Sequence, residues 1–313
     1  MSAVVITEFM DQPAVDALSA KFSVLYDPTL VDDLARLKVA IAGAEAVIVR
    51  NRTQVNRDLL ASAPKCRVVG RLGVGLDNID LPACQERGIT VIPATGANAR
   101  AVAEYVVATA FVLLRGAFSC SASVANGQWP RLAYSNGLEI HGRVMGVVGF
   151  GGIGRLVSDL VRPLGMRVIA FDPALSETDP AFSTHQAQYC ARLDDVLRQA
   201  DVVSLHVPLN EQTRHLINAQ RIALMKSTAV LINTARGGVV DEQALVEAIR
   251  AKALGGAALD VFEREPLPGT TLPNDLPQLI LTPHIAGLTQ EANERVSSMI
   301  AERVASALQH EKG

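Results

Sequence analysis

The sequence is poor in aromatic residues, which make up 4% of it, with Trp129 the single tryptophan. Its cores must therefore be packed from Ala, Val, Leu and Ile, a composition suited to parallel strands covered on both faces by Ala-rich helices. Cysteine is scarce as well. Cys66, Cys84, Cys120 and Cys190 are scattered, with no C-x-x-C pair and no zinc spacing. That excludes a disulfide scaffold and leaves an expectation of reduced thiols and no metal. Excess charge of one sign is missing too: the net charge is −3 and no basic run occurs, so no nucleic-acid partner is expected. No apolar run reaches membrane-spanning length without polar interruption, so no membrane partner is expected either. The opening MSAVVITEFMDQ lacks the basic n-region of a signal peptide, which points to a cytoplasmic protein.

The chain has 313 residues, 49% hydrophobic and 19% charged, enough for two well-packed domains. Its first third alternates apolar runs with helical patterns. Val4–Ile6, Ser23–Leu25, Ala46–Val49, Val68–Val69 and Thr90–Ile92 read as strands, and Pro13–Ala20, Val31–Ala42, Arg57–Ser62 and Leu81–Arg87 as helices. This rhythm predicts a parallel α/β sheet with right-handed crossovers. A long Ala- and Val-rich helix is expected from Asn98 to about Phe118, apolar almost all round and suited to a domain junction or subunit interface. A second block offers about six strands: Val144–Val148, Arg167–Phe171, Val202–Leu205, Ala229–Ile232, Gly256–Leu259 and Leu279–Leu281. An amphipathic helix, Gln290–Gln309, closes the chain.

The second block opens with G-x-G-x-x-G, as Gly149, Gly151 and Gly154, between an apolar strand and a helical pattern (Ile153–Leu164). In that context the first glycine allows a tight turn, the second lets a pyrophosphate approach the backbone, and the third lets helix pack on strand. The helix N-terminus then offers N–H groups and a positive dipole end to the phosphates. Asp172, ending the next strand, can accept hydrogen bonds from ribose hydroxyls and would repel a 2′-phosphate. NAD is therefore expected over NADP.

Three polar residues follow strands of the same block: Arg236 in Asn233-Thr-Ala-Arg-Gly-Gly238, Glu265 before Pro266, and His284 in Leu281-Thr-Pro-His. The ends of parallel strands are where ligands bind in such sheets. Interconverting a 2-hydroxy acid and a 2-keto acid needs a planar cation for the carboxylate, which Arg supplies. It needs a group that moves a proton near neutral pH, which His supplies. It also needs a carboxylate that orients the imidazole, here Glu265. Each residue alone has a duller reading, as a helix-end cation, a solvated turn acid or a structural histidine.

Several stretches resemble the D-isomer-specific 2-hydroxyacid dehydrogenase family, above all its phosphoglycerate dehydrogenase branch. They are Gly70-Arg-Leu-Gly-Val-Gly-Leu-Asp-Asn-Ile-Asp80, the Gly149–Gly154 turn, Leu205-His-Val-Pro-Leu-Asn-Glu-Gln-Thr213, Ile232–Gly238, Leu259-Asp-Val-Phe-Glu263, Glu265-Pro266 and Thr282-Pro-His-Ile-Ala-Gly287. The resemblance implies two doubly wound parallel-sheet lobes. One is a Rossmann cofactor domain over residues 99–287; the other is a flavodoxin-like substrate domain made of 1–98 and 288–313. It also implies a homodimer formed through the cofactor lobes. Carried over, Gly152, Ile153, Asp172, Val207, Pro208 and Thr213 would contact NAD. Thr234, Ala235, Asp260 and His284 would line the nicotinamide side, with Ala286 and Gly287 beside them. Leu72, Gly73, Val74 and Gly75 would form the loop for the substrate carboxylate. Arg100 and Ala101 stand where relatives often carry Leu and Ser. The chain stops soon after its last helix, so the regulatory domain of longer phosphoglycerate dehydrogenases, and feedback by serine, are not expected.

Val49-Arg-Asn-Arg52 places Arg50 and Arg52 at the end of a substrate-lobe strand. Such charge suits a substrate with a second anionic group, a phosphate or sulfonate. The alternative is that both are solvated or paired with Asp77 and Asp80. Within the family, Ile6-Thr-Glu-Phe-Met-Asp11, Val49-Arg-Asn-Arg-Thr53 and the Gly70–Asp80 stretch look most like bacterial sulfolactate dehydrogenases, which implies (S)-3-sulfolactate oxidised to 3-sulfopyruvate. 3-Phosphoglycerate oxidation and glyoxylate or hydroxypyruvate reduction stand as alternatives, as does, from another class, a non-catalytic NAD-sensing scaffold.

Overall fold

The computed structural model describes residues 3–269 and 271–310, so the outer limits of the expected domains, 1 and 313, lie outside the described residues. The chain divides into two compact units: Met1–Asn98 with Leu288–Gly313, and Ala99–Gly287.

In the first unit five strands run parallel: β1 (Val4–Ile6), β2 (Val24–Tyr26), β3 (Ala46–Val49), β4 (Val68–Arg71) and β5 (Thr90–Pro93), in the order β2-β1-β3-β4-β5. Successive side chains serve opposite faces of the sheet. Val4 and Ile6 join a core with the closing helix (Val296, Ile300, Val304, Leu308), whereas Val5 joins Leu37, Ile41 and Leu59 on the other side. The strand order reverses between β1 and β3.

The second unit holds seven parallel strands: β6 (Val144–Val148), β7 (Arg167–Phe171), β8 (Gln188–Tyr189), β9 (Val202–Leu205), β10 (Val230–Asn233), β11 (Gly256–Leu259) and β12 (Leu279–Leu281). Their order is β12-β11-β10-β9-β6-β7-β8, with the reversal between β6 and β9. Such a reversal opens a crevice beyond the carboxyl ends of the strands. Met145 and Val147 face one core, Val144 and Val148 the other. The seventh strand, β8, went unpredicted because two residues with one glutamine carry no apolar run.

Two predicted helices are corrected. Val31–Ala42 is a 3₁₀ turn, Leu30–Asp32, followed by the helix Leu34–Ile41. Asp33 separates them as an N-cap, its carboxylate accepting from the Ala35 and Arg36 amides. The helix expected from Asn98 to Phe118 runs Ala99–Arg115 and stops at Gly116, whose φ of 64° is left-handed. This helix opens the second unit, burying Ala103, Val106, Ala110 and Leu114. Arg100 pairs on its surface with Glu104 at 2.6 Å. No single helix among the described residues is long and apolar enough to cross a membrane.

Candidate active site

Arg236, Glu265 and His284 follow β10, β11 and β12, three neighbouring strands of the second unit. The Arg236 loop is stapled by a buried amide: Asn233 Oδ1 accepts from the Ala235 amide (3.1 Å) and its Nδ2 donates to the Arg236 carbonyl (3.0 Å). Gly237 lets this loop press on the one after β11, since a Cβ there would stand 1.7 Å from the Phe262 carbonyl oxygen. The Arg236 guanidinium donates to the Ala235 carbonyl at 2.7 Å.

Glu265 bridges two loops. One carboxylate oxygen accepts from the Phe262 amide (3.0 Å), and the other meets His284 Nδ1 at 2.7 Å. Partial burial pushes its pKa up, but the bonds to His284 and Phe262 and the charges of His284 and Arg236 outweigh this and hold it below the ordinary value. The imidazole of His284, on a residue with φ 57°, is half exposed.

Asp260, expected to line the nicotinamide side, does structural work that sequence reasoning missed. Buried to 1% exposure, it accepts from Thr282 Oγ1 (2.6 Å) and from the Ile285 and Ala286 amides (2.8 Å each). It thereby fixes both sides of His284. Tyr105 bonds Thr282 at 2.6 Å and extends the network to the long helix. An acid between an apolar strand and Val261-Phe262 was the available signal.

The nucleotide turn lies at the switch point. Gly149 has φ +90°, and a Cβ on it would stand 2.4 Å from the carbonyl oxygen of His206, at the end of β9. A Cβ at Gly154 would meet the Gly149 carbonyl oxygen at 2.4 Å, so the helix Gly152–Val161 packs close. At Gly151 and Gly152 nothing lies within 4 Å of the added atom. That open space, beginning a helix whose N-cap carries no side chain, fits a pyrophosphate. Ile153 sits in the first turn of that helix. Asp172 accepts from the Phe150 amide (2.8 Å) and the Ala174 amide (2.9 Å), which places its carboxylate beside the turn. Val207 and Pro208 follow β9 in a loop held by Thr213, whose hydroxyl donates to the Pro208 carbonyl at 2.6 Å. Thr234 Oγ1 is buried without a hydrogen-bond partner among the described residues, and a nicotinamide carboxamide would satisfy it. Ala235 is buried beside it, and Gly287 ends the unit. These residues fit NAD.

In the first unit, Leu72 to Gly75 turn just after β4. The Leu72 amide donates to the Val49 carbonyl (2.8 Å), and the Gly73 carbonyl accepts from Ala94 (2.9 Å). The Leu72 side chain is buried, so that loop offers backbone, while Val74 is 39% exposed. The pairing of Arg50 and Arg52 with Asp77 and Asp80 is corrected. Arg52 forms its salt bridge with Asp32, and Arg50 donates to Asn293 Oδ1 at 2.6 Å. Asp80 instead caps the helix Leu81–Glu86.

Residues 107–286 match the family described as D-isomer specific 2-hydroxyacid dehydrogenase, NAD binding domain. The chain belongs to this family. It is 52% identical over 308 residues to an (S)-sulfolactate dehydrogenase of Chromohalobacter salexigens, covering 98% of this chain and 99% of that protein. A D-3-phosphoglycerate dehydrogenase of Methanocaldococcus jannaschii is 37% identical over 276 residues, 87% of this chain and 51% of that protein. The chain thus spans about half the length of that relative. The crystal structure of the TT0316 protein from Thermus thermophilus superposes with a TM-score of 0.88 at 32% identity, covering 98% of this chain and 97% of that one. The family makes the chain an NAD-dependent 2-hydroxyacid dehydrogenase.

Proposed function

We propose that the chain oxidises (S)-3-sulfolactate to 3-sulfopyruvate. The observation that carries this reading is the near-full-length likeness to the Chromohalobacter salexigens enzyme, at 52% identity. NAD, when bound, supplies the hydride acceptor for C2 of the substrate. Arg236 binds the carboxylate and polarises the oxygen on C2. His284, anchored to Glu265 through Nδ1, takes the hydroxyl proton on Nε2 and returns it in the reverse direction. Glu265 holds the ring and stabilises the imidazolium. Gly149, Gly151, Gly152, Ile153, Gly154 and Asp172 hold the adenosine diphosphate part of the cofactor, and Thr234, Ala235 and Ala286 the nicotinamide end. The first unit is the substrate domain: the backbone of Leu72 to Gly75 receives the carboxylate, and the loop that carries Arg50 and Arg52 supplies the positive charge for the sulfonate. The test is turnover by the purified chain of sulfolactate against 3-phosphoglycerate, and of 3-sulfopyruvate against hydroxypyruvate.

The working form is a homodimer. The segment after the long helix exposes Phe118 (64%), Trp129 (79%) and Leu132 (86%), an apolar arm that a second copy would cover. The reduced cysteines, three of them buried, suit a cytoplasmic setting.

A further inference from the structure

The reversal of strand order in the first unit falls between β1 and β3, so the loops leaving these two strands flank that sheet's own ligand crevice. The loop after β1 carries Glu8 and Phe9, and the loop after β3 carries Arg50 to Thr53. They are joined in an unusual way. Glu8 is 4% exposed, and its carboxylate accepts from the backbone amides of Arg50 (2.8 Å), Asn51 (3.3 Å), Arg52 (3.0 Å) and Thr53 (3.0 Å). Burial alone would raise its pKa, yet these amides hold it below the ordinary value, so the group is an anion built into the fold. Four successive amides turned toward one carboxylate fix the course of the Arg50 loop.

The two arginines on that loop are treated differently. Arg52 is exposed and forms a salt bridge with Asp32, so its charge is already answered. Arg50 is half-buried and has no salt bridge among the described residues. Its contacts are the amide oxygen of Asn293 (2.6 Å), the carbonyl of Phe9 (3.5 Å) and the Phe9 ring, 5.6 Å from guanidinium carbon to centroid. Phe9 is steadied in turn: Tyr26 hydrogen-bonds both polar backbone groups of Met10, and the Asp11 amide donates to Ser297 on the closing helix. Its direct acceptors are neutral, and the buried Glu8 carboxylate acts on the guanidinium only through space, which leaves its N–H groups able to take an anionic oxygen.

We propose that Asn293 and Glu8 are positioning residues for substrate selectivity, Glu8 by pinning the loop and Asn293 by aiming Arg50 through a neutral acceptor. Arg50, rather than Arg52, then distinguishes a substrate with a second anionic group from a monoanion. This rests on the reading of the chain as a dehydrogenase of a doubly anionic acid.

The experiment measures kcat/KM for 3-sulfopyruvate and for hydroxypyruvate with NADH, and reports their ratio. Asn293→Asp places a carboxylate on Arg50, and it should lower the ratio about tenfold, through KM for 3-sulfopyruvate. Asn293→Gln keeps an amide oxygen and should recover most of the loss. Arg50→Gln should lower the ratio at least tenfold, and Arg52→Gln by a clearly smaller factor. Glu8→Gln, which replaces an acceptor by a donor, should lower the ratio like Asn293→Asp if it folds. The Asn293 pair keeps the proposal testable if it does not. An unchanged ratio in Asn293→Asp, or equal losses in the two arginine variants, overturns the proposal while leaving the substrate reading intact. A wild-type enzyme without preference for 3-sulfopyruvate overturns that reading, and this inference with it.

Discussion

At the residue scale, the chemistry rests on how little freedom His284 has. Its neighbours Ile285 and Ala286 donate to Asp260, and its Nδ1 is engaged by Glu265. One ring nitrogen, Nε2, remains for proton transfer. Replacing Glu265 by Gln removes the charge that favours the imidazolium but keeps much of the shape. We expect kcat to fall about 10²–10⁴-fold with KM for NAD unchanged, as read by initial rates. A loss of NAD affinity with kcat little changed would instead mean that Glu265 only holds the loop.

The chemistry of this residue set was legible in the sequence because a cation, an acid and a histidine each followed an apolar strand. Its supports were not. Asp260, Asn233 and Glu8 act through backbone amides, and spacing does not show which amides a buried acid will meet. The partner of Arg52 was likewise hidden. Asp32 closes the 3₁₀ turn Leu30–Asp32, and nothing in the spacing shows that it, rather than Asp77 or Asp80, meets the guanidinium.

At the element scale, the tip of β9 is held against the nucleotide turn. His206, with Nε2 2.9 Å from Ser204 Oγ, has its pKa pushed down by burial to about 4. The sign follows from linkage. Between the unfolded value and about 4 the unfolded chain binds a proton that the folded chain does not, so stability is present above pH ~6.5 and lost as pH falls toward 4. The loss is at most on the order of 3 kcal/mol at ~1.4 kcal/mol per pH unit. Urea melts at pH 7.5 and 5 should show the native chain weakening, and His206→Gln should lack that part of the acid sensitivity. An equal drop in both would assign the effect to carboxylates.

The elements show where apolar patterning suffices. Val144–Val148, buried on both faces, reads as a continuous apolar run with the limits the sequence predicts, whereas the buried Val230–Asn233 lies one residue past the expected Ala229–Ile232. Edges are different: β8 is two residues long and only partly buried, so nothing in its composition announces it. Caps moved the helix ends at Asp33 and Gly116, whereas the starts at Arg57 and Leu81, capped by Asn56 and Asp80, fall where the sequence places them.

At the scale of the whole molecule, the exposed apolar arm of Phe118, Trp129 and Leu132 leads us to expect a dimer by light scattering. Leu132→Asp combined with Trp129→Ser should yield a monomer that keeps its secondary structure. A monomeric wild type would remove the dimer from the account.

The substrate is decided by NADH formation when the purified chain is given NAD with racemic sulfolactate, 3-phosphoglycerate, glycerate, lactate or malate. We expect a kcat/KM for sulfolactate at least about tenfold above the others, a margin of ~1.4 kcal/mol that one charge-assisted contact can supply. A preference for 3-phosphoglycerate or for monoanionic acids would contradict the sulfonate reading. Absence of turnover in both directions, with NAD still bound, would contradict the catalytic account and favour an NAD-sensing scaffold.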